Sequence, residues 1–208
     1  MIVHGQTQGR GGARAAGREA AVAAMVGMAQ LHDPYTAGHE ERVAVLATAV
    51  ARSLRLGESE IRAIYLASLV HDVGKSAVPI EILSKPGRLT AREFALVKTH
   101  PEAGYRIIRQ IDPSAPFADI VMQHHERLDG TGYPHGLRGE AISIGARILA
   151  VADVAEAITA PRPHRPSLGL DAAIAELATN KGRRYDVAAA ESCIALLRGD
   201  HYPAFSRH

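Results

Sequence analysis

Residues 124–134, with the sequence HHERLDGTGYP, constrain the fold of this chain more than any other segment. Adjacent residues such as His124 and His125 point about 100° apart on a helix, so they can serve one polynuclear metal site only if other segments converge on them. The glycines and the proline that follow cannot continue a helix and predict a tight loop. The chain therefore has to fold so that polar residues from distant segments meet at this histidine pair.

Candidate partners for the pair occur in four separate segments, each where a predicted helix begins, ends or crosses the core. They are His39, His71 with the adjacent Asp72, His100, and Asp153. A buried, unpaired carboxylate at the end of an apolar run is costly, so a bound cation is the simplest explanation for Asp72. The residues alone leave open a structural His–Asp pair at a helix end and, for His39, a satisfied core or capping histidine.

Apolar residues at helical spacing predict an all-α fold along the chain. The predicted helices lie at about residues 18–32, 39–54, 58–70, 79–83, 90–98, 101–111, 116–125, 142–158, 170–179 and 187–197. Thr90 and Glu93 have the spacing of a capping box, and Asp186 precedes the last helix as a cap. His100 lies at a junction, because Pro101 disfavours helical geometry in the residue before it. We expect one helical bundle over residues 18–208.

Residues 1–17 are rich in Gly, Gln and Arg and have too few apolar side chains to offset the entropy of ordering, which predicts a flexible tail. A net charge of +2 and a pI near 8.8 argue against a duplex nucleic-acid partner but allow a small anionic ligand. No apolar run of about 18 residues and no signal-peptide core occur, so we expect a cytoplasmic chain without a membrane span. The single cysteine, Cys193, is expected to be a core residue.

Four further residues are candidates for binding an anionic or aromatic ligand. Lys75 follows the His–Asp pair by one turn and can meet a phosphate oxygen, although a cation that complements a helix C-terminus has the same signature. Tyr133 offers a ring on which a base can stack, and the alternative is a glycine-rich turn packed by that ring. Arg162 and Arg165 lie in an extended proline-rich segment, where they suit phosphates or are simply solvated.

The stretch HDVGK at residues 71–75 and the HHERLDGTGYP stretch together resemble the HD-GYP phosphodiesterases, the branch of the HD metallohydrolases associated with the bacterial messenger cyclic di-GMP. The resemblance runs from about residue 33 to about residue 186, through DPYTAGHEERV, LVHDVGK, KPGRLTAREF, KTHPEAG, ARILAVADV and APRPHR. A lone HD pair is a weak signal, whereas this ordered set is specific. It implies that residues 18–208 are a catalytic domain, a helical bundle of the HD-domain type with a C-terminal GYP-loop extension.

The resemblance also implies two divalent metal ions, with Asp72 as the carboxylate that bridges them. The ligands implied for one ion are His39, His71 and Asp153, and for the other His100, His124 and His125. Family habit favours Fe or Mn, while mixed imidazole and carboxylate ligands also suit Zn or Ni. A hydroxide that bridges the ions would attack phosphorus in line with the leaving oxygen. By the same resemblance, Lys75 neutralises phosphate charge, Tyr133 shapes the loop, and Arg162 and Arg165 hold the far phosphate or guanine.

The activity implied by the resemblance is hydrolysis of cyclic di-GMP to linear pGpG, with further cleavage to GMP left open. The alternatives are an HD hydrolase acting on another cyclic dinucleotide or nucleotide, and a binding module that senses cyclic di-GMP. The intact ligand set argues against a pure sensor, since a sensor needs no site that generates a nucleophile. The sequence leaves open whether the chain forms a homodimer or binds a regulatory protein.

Four positions depart from the family pattern. Tyr35 stands where members with a third metal carry Glu, one helical turn before the first histidine ligand, so we expect two metals and transient accumulation of pGpG before GMP. Glu156 replaces the usual Asp, Gln30 a frequent Glu, and His164 the tyrosine of the usual RPYR. None of these positions is an expected metal ligand.

Overall fold

The computed structural model describes residues 17, 20–28, 38–161 and 166–199. Within these ranges the chain is helical, with isolated β-bridges and no β-strand. A helical segment spans residues 20–28. The α-helices that follow are α1 (His39–Ser53), α2 (Glu58–Val70), α3 (Ile80–Leu83), α4 (Ala91–Val97), α5 (His100–Ile111), α6 (Ala118–Gln123), α7 (Ile144–Thr159), α8 (Leu170–Asn180) and α9 (Val187–Arg198), with 3-10 helices at Val73–Ala77 and Gly139–Ala141. The predicted all-α class is confirmed for the described part of the chain.

Helices α1, α2 and α7 form the centre of the bundle and pack against one another. Their apolar residues recur every three to four positions, so each helix presents one stripe to the other two. Val43, Leu46 and Val50 from α1 are fully enclosed, and Ile64 from α2 and Ile148 from α7 belong to the same core cluster. Because the stripes continue to the helix ends, polar residues at those ends are carried into apolar surroundings.

The two C-terminal helices support the loop that follows the histidine pair. Helices α8 and α9 pack on α7 and on each other. The turn between them reaches back to the loop, where the backbone N–H of Leu128 donates to the carbonyl of Arg184 at 3.1 Å. The guanidinium of Arg127 lies 5.5 Å from the ring centroid of Tyr185. The C-terminal segment is therefore part of the same helical domain and positions the loop.

Several sequence predictions hold at the level of single residues. Thr90 and Glu93 form the predicted capping box, and the Asp186 side chain accepts a hydrogen bond from the first turn of α9. Cys193 is fully buried, as expected of a core residue. The helix predicted to reach residue 125 is shorter, because α6 ends at Gln123. Beyond that point the backbone turns, and the histidine pair lies outside the regular helix.

Residues 1–16 lie outside the described residues, so the flexible tail and a domain boundary near residue 18 stay predictions. In the helical segment at 20–28, Val22 and Met25 face the core, as their spacing predicts. Among the described helices, none combines the length and apolar character needed to cross a membrane.

Candidate metal centre

The structure brings all seven candidate ligands together, although five different helices deliver them. His39 is the first residue of α1, Asp153 lies inside α7, and His100 begins α5. His71 and Asp72 directly follow α2, and His124 and His125 directly follow α6. Their ligand atoms form two groups, and every member except the half-buried His125 is buried. The helix ends predicted to converge on the histidine pair do so.

The first group, called cluster A, consists of His39, His71 and Asp153, with one potential ligand atom of each within 4.8 Å of the others. Asp153 Oδ1 lies 3.3 Å from Nε2 of His39 and 3.8 Å from Nε2 of His71. Both imidazoles thus direct the same nitrogen toward one carboxylate oxygen. The point at which they meet is enclosed by buried side chains.

The second group, called cluster B, consists of Asp72, His100, His124 and His125, whose ligand atoms also lie within 4.8 Å of one another. Nε2 of His100 is 3.3 Å from Oδ1 of Asp72 and 3.3 Å from Nε2 of His124. The ring centroids of His124 and His125 are 4.0 Å apart. Adjacent residues on a helix point about 100° apart, yet these two rings lie close together directly after α6.

Asp72 faces both clusters. Its Oδ1 lies 3.3 Å from Nε2 of His100 in cluster B, and its Oδ2 lies 3.5 Å from Nε2 of His71 in cluster A. One carboxylate therefore offers an oxygen to each side, as a carboxylate that bridges two cations must. The Nζ of Lys75 donates to Oδ2 at 2.6 Å, which places a positive charge directly beside this carboxylate.

Three of the imidazoles are oriented in the same way. In each, the Nδ1–H donates to the backbone carbonyl three residues earlier. The pairs are His71 with Ser68 at 2.8 Å, His100 with Val97 at 2.7 Å, and His124 with Val121 at 2.6 Å. Because a carbonyl only accepts, Nδ1 carries the proton, and in a neutral ring Nε2 presents its lone pair. All three lone pairs point at the centre, and the backbone fixes the ring orientation as metal-binding histidines require.

The surroundings of these lone pairs indicate whether the residues fit a metal ion. Nε2 of His71 is buried and has no hydrogen-bond partner. Nε2 of His100 and Nε2 of His124 face each other at 3.3 Å, and with both protons on Nδ1 neither nitrogen can donate to the other. A cation that accepts electron density from both nitrogens resolves this arrangement. The donor set of imidazole and carboxylate suits Fe, Mn, Zn or Ni and does not choose among them.

Protonation of four candidate ligands is also suited to metal binding. Burial raises the pKa of Asp72 and Asp153, but Lys75 beside the first and a histidine bonded to the second outweigh it and hold both carboxyl pKa values well below their usual range. Burial lowers the pKa of His124 well below its ordinary value and that of His125 to about 3. The two carboxylates therefore stay ionised and these two imidazoles stay neutral, as metal ligands must be.

Glu156, which the sequence marks only as a departure from the family pattern, is buried beside cluster A. Its carboxylate accepts a hydrogen bond from Nδ1 of His39, and Nε of Arg42 donates to its Oε1 at 2.8 Å. Asp153 and Glu156 lie one turn apart on α7. The Asp153 carboxylate contacts Nε2 of His39 and the Glu156 carboxylate contacts Nδ1, so α7 fixes the ring at both nitrogens. Burial lowers the pKa of His39, but these two carboxylates raise it to about 10, so a cation bound at cluster A has to displace a proton from this imidazole. In the sequence, this role of Glu156 is indicated only by its position three residues after Asp153, which places both carboxylates on one face of α7.

The loop after the histidine pair is fixed by a second buried carboxylate that the sequence did not single out. Glu126 is 2% exposed, and its two oxygens accept hydrogen bonds from the backbone N–H groups of His135 at 2.8 Å and Leu137 at 3.0 Å. Gly132 packs so closely on the preceding turn that a Cβ there would lie 2.4 Å from Cα of Glu126. The glycine is therefore required for close backbone approach.

Tyr133 lies beside the centre, and its ring centroid is 4.8 Å from that of His125 at an interplanar angle of 36°. Burial, together with the nearby Asp72 carboxylate, raises the pKa of Tyr133, so its hydroxyl stays protonated and able to donate. The predicted substrate-binding residues Arg162 and Arg165 lie outside the described residues. Tyr35, Gln30 and His164, which depart from the family pattern, also lie outside them.

Comparison with known proteins agrees with this geometry. The family model for the HD domain matches residues 7–189. The chain is 43% identical over 176 residues to the cyclic di-GMP phosphodiesterase response regulator RpfG of Xanthomonas campestris, covering 82% of this chain and 45% of that protein. It is 39% identical over 165 residues to the 3'3'-cGAMP-specific phosphodiesterase 3 of Vibrio cholerae, covering 79% of this chain and 35% of that protein. The chain thus spans less than half the length of either relative.

A solved structure shares the fold. Bd1817, described as an HDG"Y"P protein from Bdellovibrio bacteriovorus, superposes with a TM-score of 0.64 at 21% identity, over 77% of this chain and 52% of that chain. The low identity limits this likeness to the fold. The family match over most of the sequence, with the ordered HD and GYP motifs, is what shows that the chain belongs to the HD-domain family, in its HD-GYP branch.

Proposed function

We propose that the chain is a metal-dependent phosphodiesterase that hydrolyses cyclic di-GMP to linear pGpG. The observation that carries the proposal is the position of Asp72 between clusters A and B, with one oxygen directed at each. Two cations that share a carboxylate suit in-line displacement at phosphorus, because together they stabilise the attacking and the leaving oxygen. Fe or Mn is favoured from the family resemblance, and Zn or Ni also suits the donor set.

The proposed ligands follow the two clusters, except that Asp72 of cluster B serves both cations. One cation is held by His39, His71 and Asp153 and the other by His100, His124 and His125, with Asp72 shared. When bound, the cations would activate a water molecule between them and offset the charge that develops on the phosphate. This division agrees with the contacts of Asp72 and with the orientation of the Nε2 lone pairs.

The chain's own residues have three further tasks in this proposal. Lys75, already 2.6 Å from Asp72, provides a positive charge next to the position of the phosphate oxygens. Tyr133 keeps its proton and closes one side of the centre against His125. Arg162 and Arg165 are proposed, from the sequence alone, to hold the far phosphate or the guanine.

The substrate class rests on the relatives, which are named for cyclic di-GMP in one case and 3'3'-cGAMP in the other. Both compounds are cyclic dinucleotides, and we favour cyclic di-GMP because the relative with the higher identity, 43% against 39%, carries that name. Hydrolysis of 3'3'-cGAMP is the second candidate function. A pure sensor is disfavoured, since it has no need of seven converging ligand atoms.

Turnover of a panel of cyclic dinucleotides tests the proposal. Protein reconstituted anaerobically with Fe(II) or Mn(II) should hydrolyse cyclic di-GMP faster than 3'3'-cGAMP and cyclic di-AMP. Because Tyr35 supplies no carboxylate for a third ion, chromatography of a time course should show pGpG before GMP. The Asp72→Ala variant should lose both metal retention and turnover, because one shared ligand serves both ions. Full activity in that variant would remove the metal mechanism.

A further inference from the structure

Between the buried residues Val78 and His100 the chain makes an excursion in which no residue is buried. This excursion, residues 79–99, contains α3 and α4 and is stabilised within itself by the bidentate contact of Lys85 with Glu93, with both oxygens at 2.8 Å. One aromatic ring in the excursion contacts Tyr133, which lies beside the metal centre. Phe94 on α4 meets Tyr133 edge to face, with ring centroids 6.3 Å apart and an interplanar angle of 82°.

The contact completes a series of rings that leads outward from cluster B. The ring of His125, a candidate ligand, lies 4.8 Å from that of Tyr133, and Phe94 follows at 6.3 Å. Phe94 is 46% exposed, although an aromatic side chain of this size usually contributes to a core. An exposed ring at the mouth of a nucleotide site has a direct physical use, because every base has a face that can stack on it.

A cation accompanies the exposed ring. The Nζ of Lys98, one turn further along, lies 5.5 Å from the ring centroid of Phe94. The ammonium thus lies over one face of the ring, and Phe94 and Lys98 together provide an aromatic surface and a positive charge. This combination suits a nucleotide, whose base stacks on aromatic rings and whose phosphate pairs with lysine.

The geometry points to Phe94 as a specificity-determining residue that stacks against one base of the substrate, with Lys98 beside the adjoining phosphate. This inference rests on the proposed function for the identity of the substrate, since a cyclic dinucleotide with one phosphodiester at the metals must project its bases away from them. A base that leaves the centre past Tyr133 reaches Phe94 next. The excursion then contributes to recognition, and it does not merely connect the 3-10 helix Val73–Ala77 to α5 across the surface.

Kinetics of the metal-loaded protein provide the first half of the test. Phe94→Ala should raise KM for cyclic di-GMP by about tenfold, the effect of one lost base–aromatic stack. The variant should keep kcat and metal content close to those of the parent protein. Phe94→Tyr should restore KM. The matched control is Leu96→Ala, since Leu96 lies on the same helix with a similar exposure of 48%. A purely structural role for Phe94 predicts changes in kcat or metal content and not in KM alone.

Fluorescence provides the second half, because the chain contains no tryptophan. Phe94→Trp introduces a single indole at the proposed stacking position, and Leu96→Trp introduces one on a different face of the same helix. After rapid mixing of the metal-loaded variants with cyclic di-GMP, emission from the first should be quenched with saturation and emission from the second should not. An unchanged KM in Phe94→Ala, or equal quenching in both tryptophan variants, overturns the inference. If only Phe94→Trp shows saturable quenching and the parent protein does not hydrolyse cyclic di-GMP, the inference about Phe94 holds and the proposed function is wrong.

Discussion

Replacement of Glu156 by glutamine removes one charge from the support of cluster A and leaves every candidate ligand in place. The Glu156 carboxylate accepts a hydrogen bond from His39 and binds Arg42 through Oε1, at 2.8 Å from Nε and 2.7 Å from a terminal guanidinium nitrogen. A glutamine of the same length has one accepting oxygen and cannot serve both partners, so one hydrogen bond is lost. The expected consequence is a looser His39 ring and weaker metal binding at cluster A.

The magnitude follows from the burial of the three side chains. The contact between His39 and Glu156 is enclosed, whereas the Arg42 side chain is 36% exposed, so its contribution has to be discounted for solvent screening. Loss of one charge-assisted buried hydrogen bond costs about 1.5–3 kcal/mol of unfolding free energy, which lowers Tm by about 3–12 °C for a chain of this size. Loss of a carboxylate that orients a metal-binding histidine typically weakens metal affinity by about 10–100-fold.

Competition with a chelator during Mn(II) titration measures this prediction, since it resolves a tight and a weakened site. Glu156→Gln should weaken one site by about 10–100-fold and change the other much less. Glu156→Asp, which keeps the charge and supplies the residue usual in the family, should have a smaller effect. The matched stability control is Asp186→Asn, because Asp186 pairs with Arg147 at 3.1 Å outside the ligand set. The positioning role of Glu156 would be refuted if Glu156→Gln weakened both metal sites equally. It would also be refuted if Glu156→Gln, like Asp186→Asn, lowered Tm without changing metal affinity.

Three further predictions concern single residues. Gly132→Ala should abolish turnover and retain metal, because its Cβ would lie 2.4 Å from Cα of Glu126 and displace the loop; paired activity and metal assays check this. The Glu93 carboxyl, which accepts from Lys85 and Thr90, has its pKa lowered to about 2, so its contribution to helix α4 should persist above its usual pKa and disappear as pH falls toward 2; an NMR titration midpoint at the usual value would contradict this. Burial raises the pKa of Cys193 to about 12, so a thiol reagent at neutral pH should label it only in denaturant.

Helical spacing in the sequence predicted the bundle because most of its helices carry one continuous apolar stripe. The predicted bounds of α2 agree with the structure, and the caps of α4 and α9 follow from the local residues Thr90 and Asp186. The end of α6 was predicted two residues too late, since nothing between Pro116 and the histidine pair interrupts helical spacing. Local helix propensity does not predict where a helix ends when the end is set by the geometry of a functional site.

The candidate ligands were predicted from the order of motifs, and the structure brings them together, while metal binding itself stays a prediction. The supporting carboxylates were not predicted, for a physical reason. Glu156 resembles any polar residue on a helix until α1 is known to pack against α7 and to place His39 beside it. Glu126 resembles a loop charge until the chain folds back and directs two backbone N–H groups at it. Such roles depend on contacts between segments distant in sequence.

Electron paramagnetic resonance of the Mn(II)-loaded protein tests most directly the central claim, that Asp72 joins two cations. Ions held about 3.5–4 Å apart by a shared carboxylate interact magnetically, so two Mn(II) per chain should give an exchange-coupled spectrum. Asp72→Ala should lose that coupling together with hydrolysis of cyclic di-GMP. A protein that hydrolyses cyclic di-GMP at full rate with one magnetically isolated Mn(II) per chain would contradict the account.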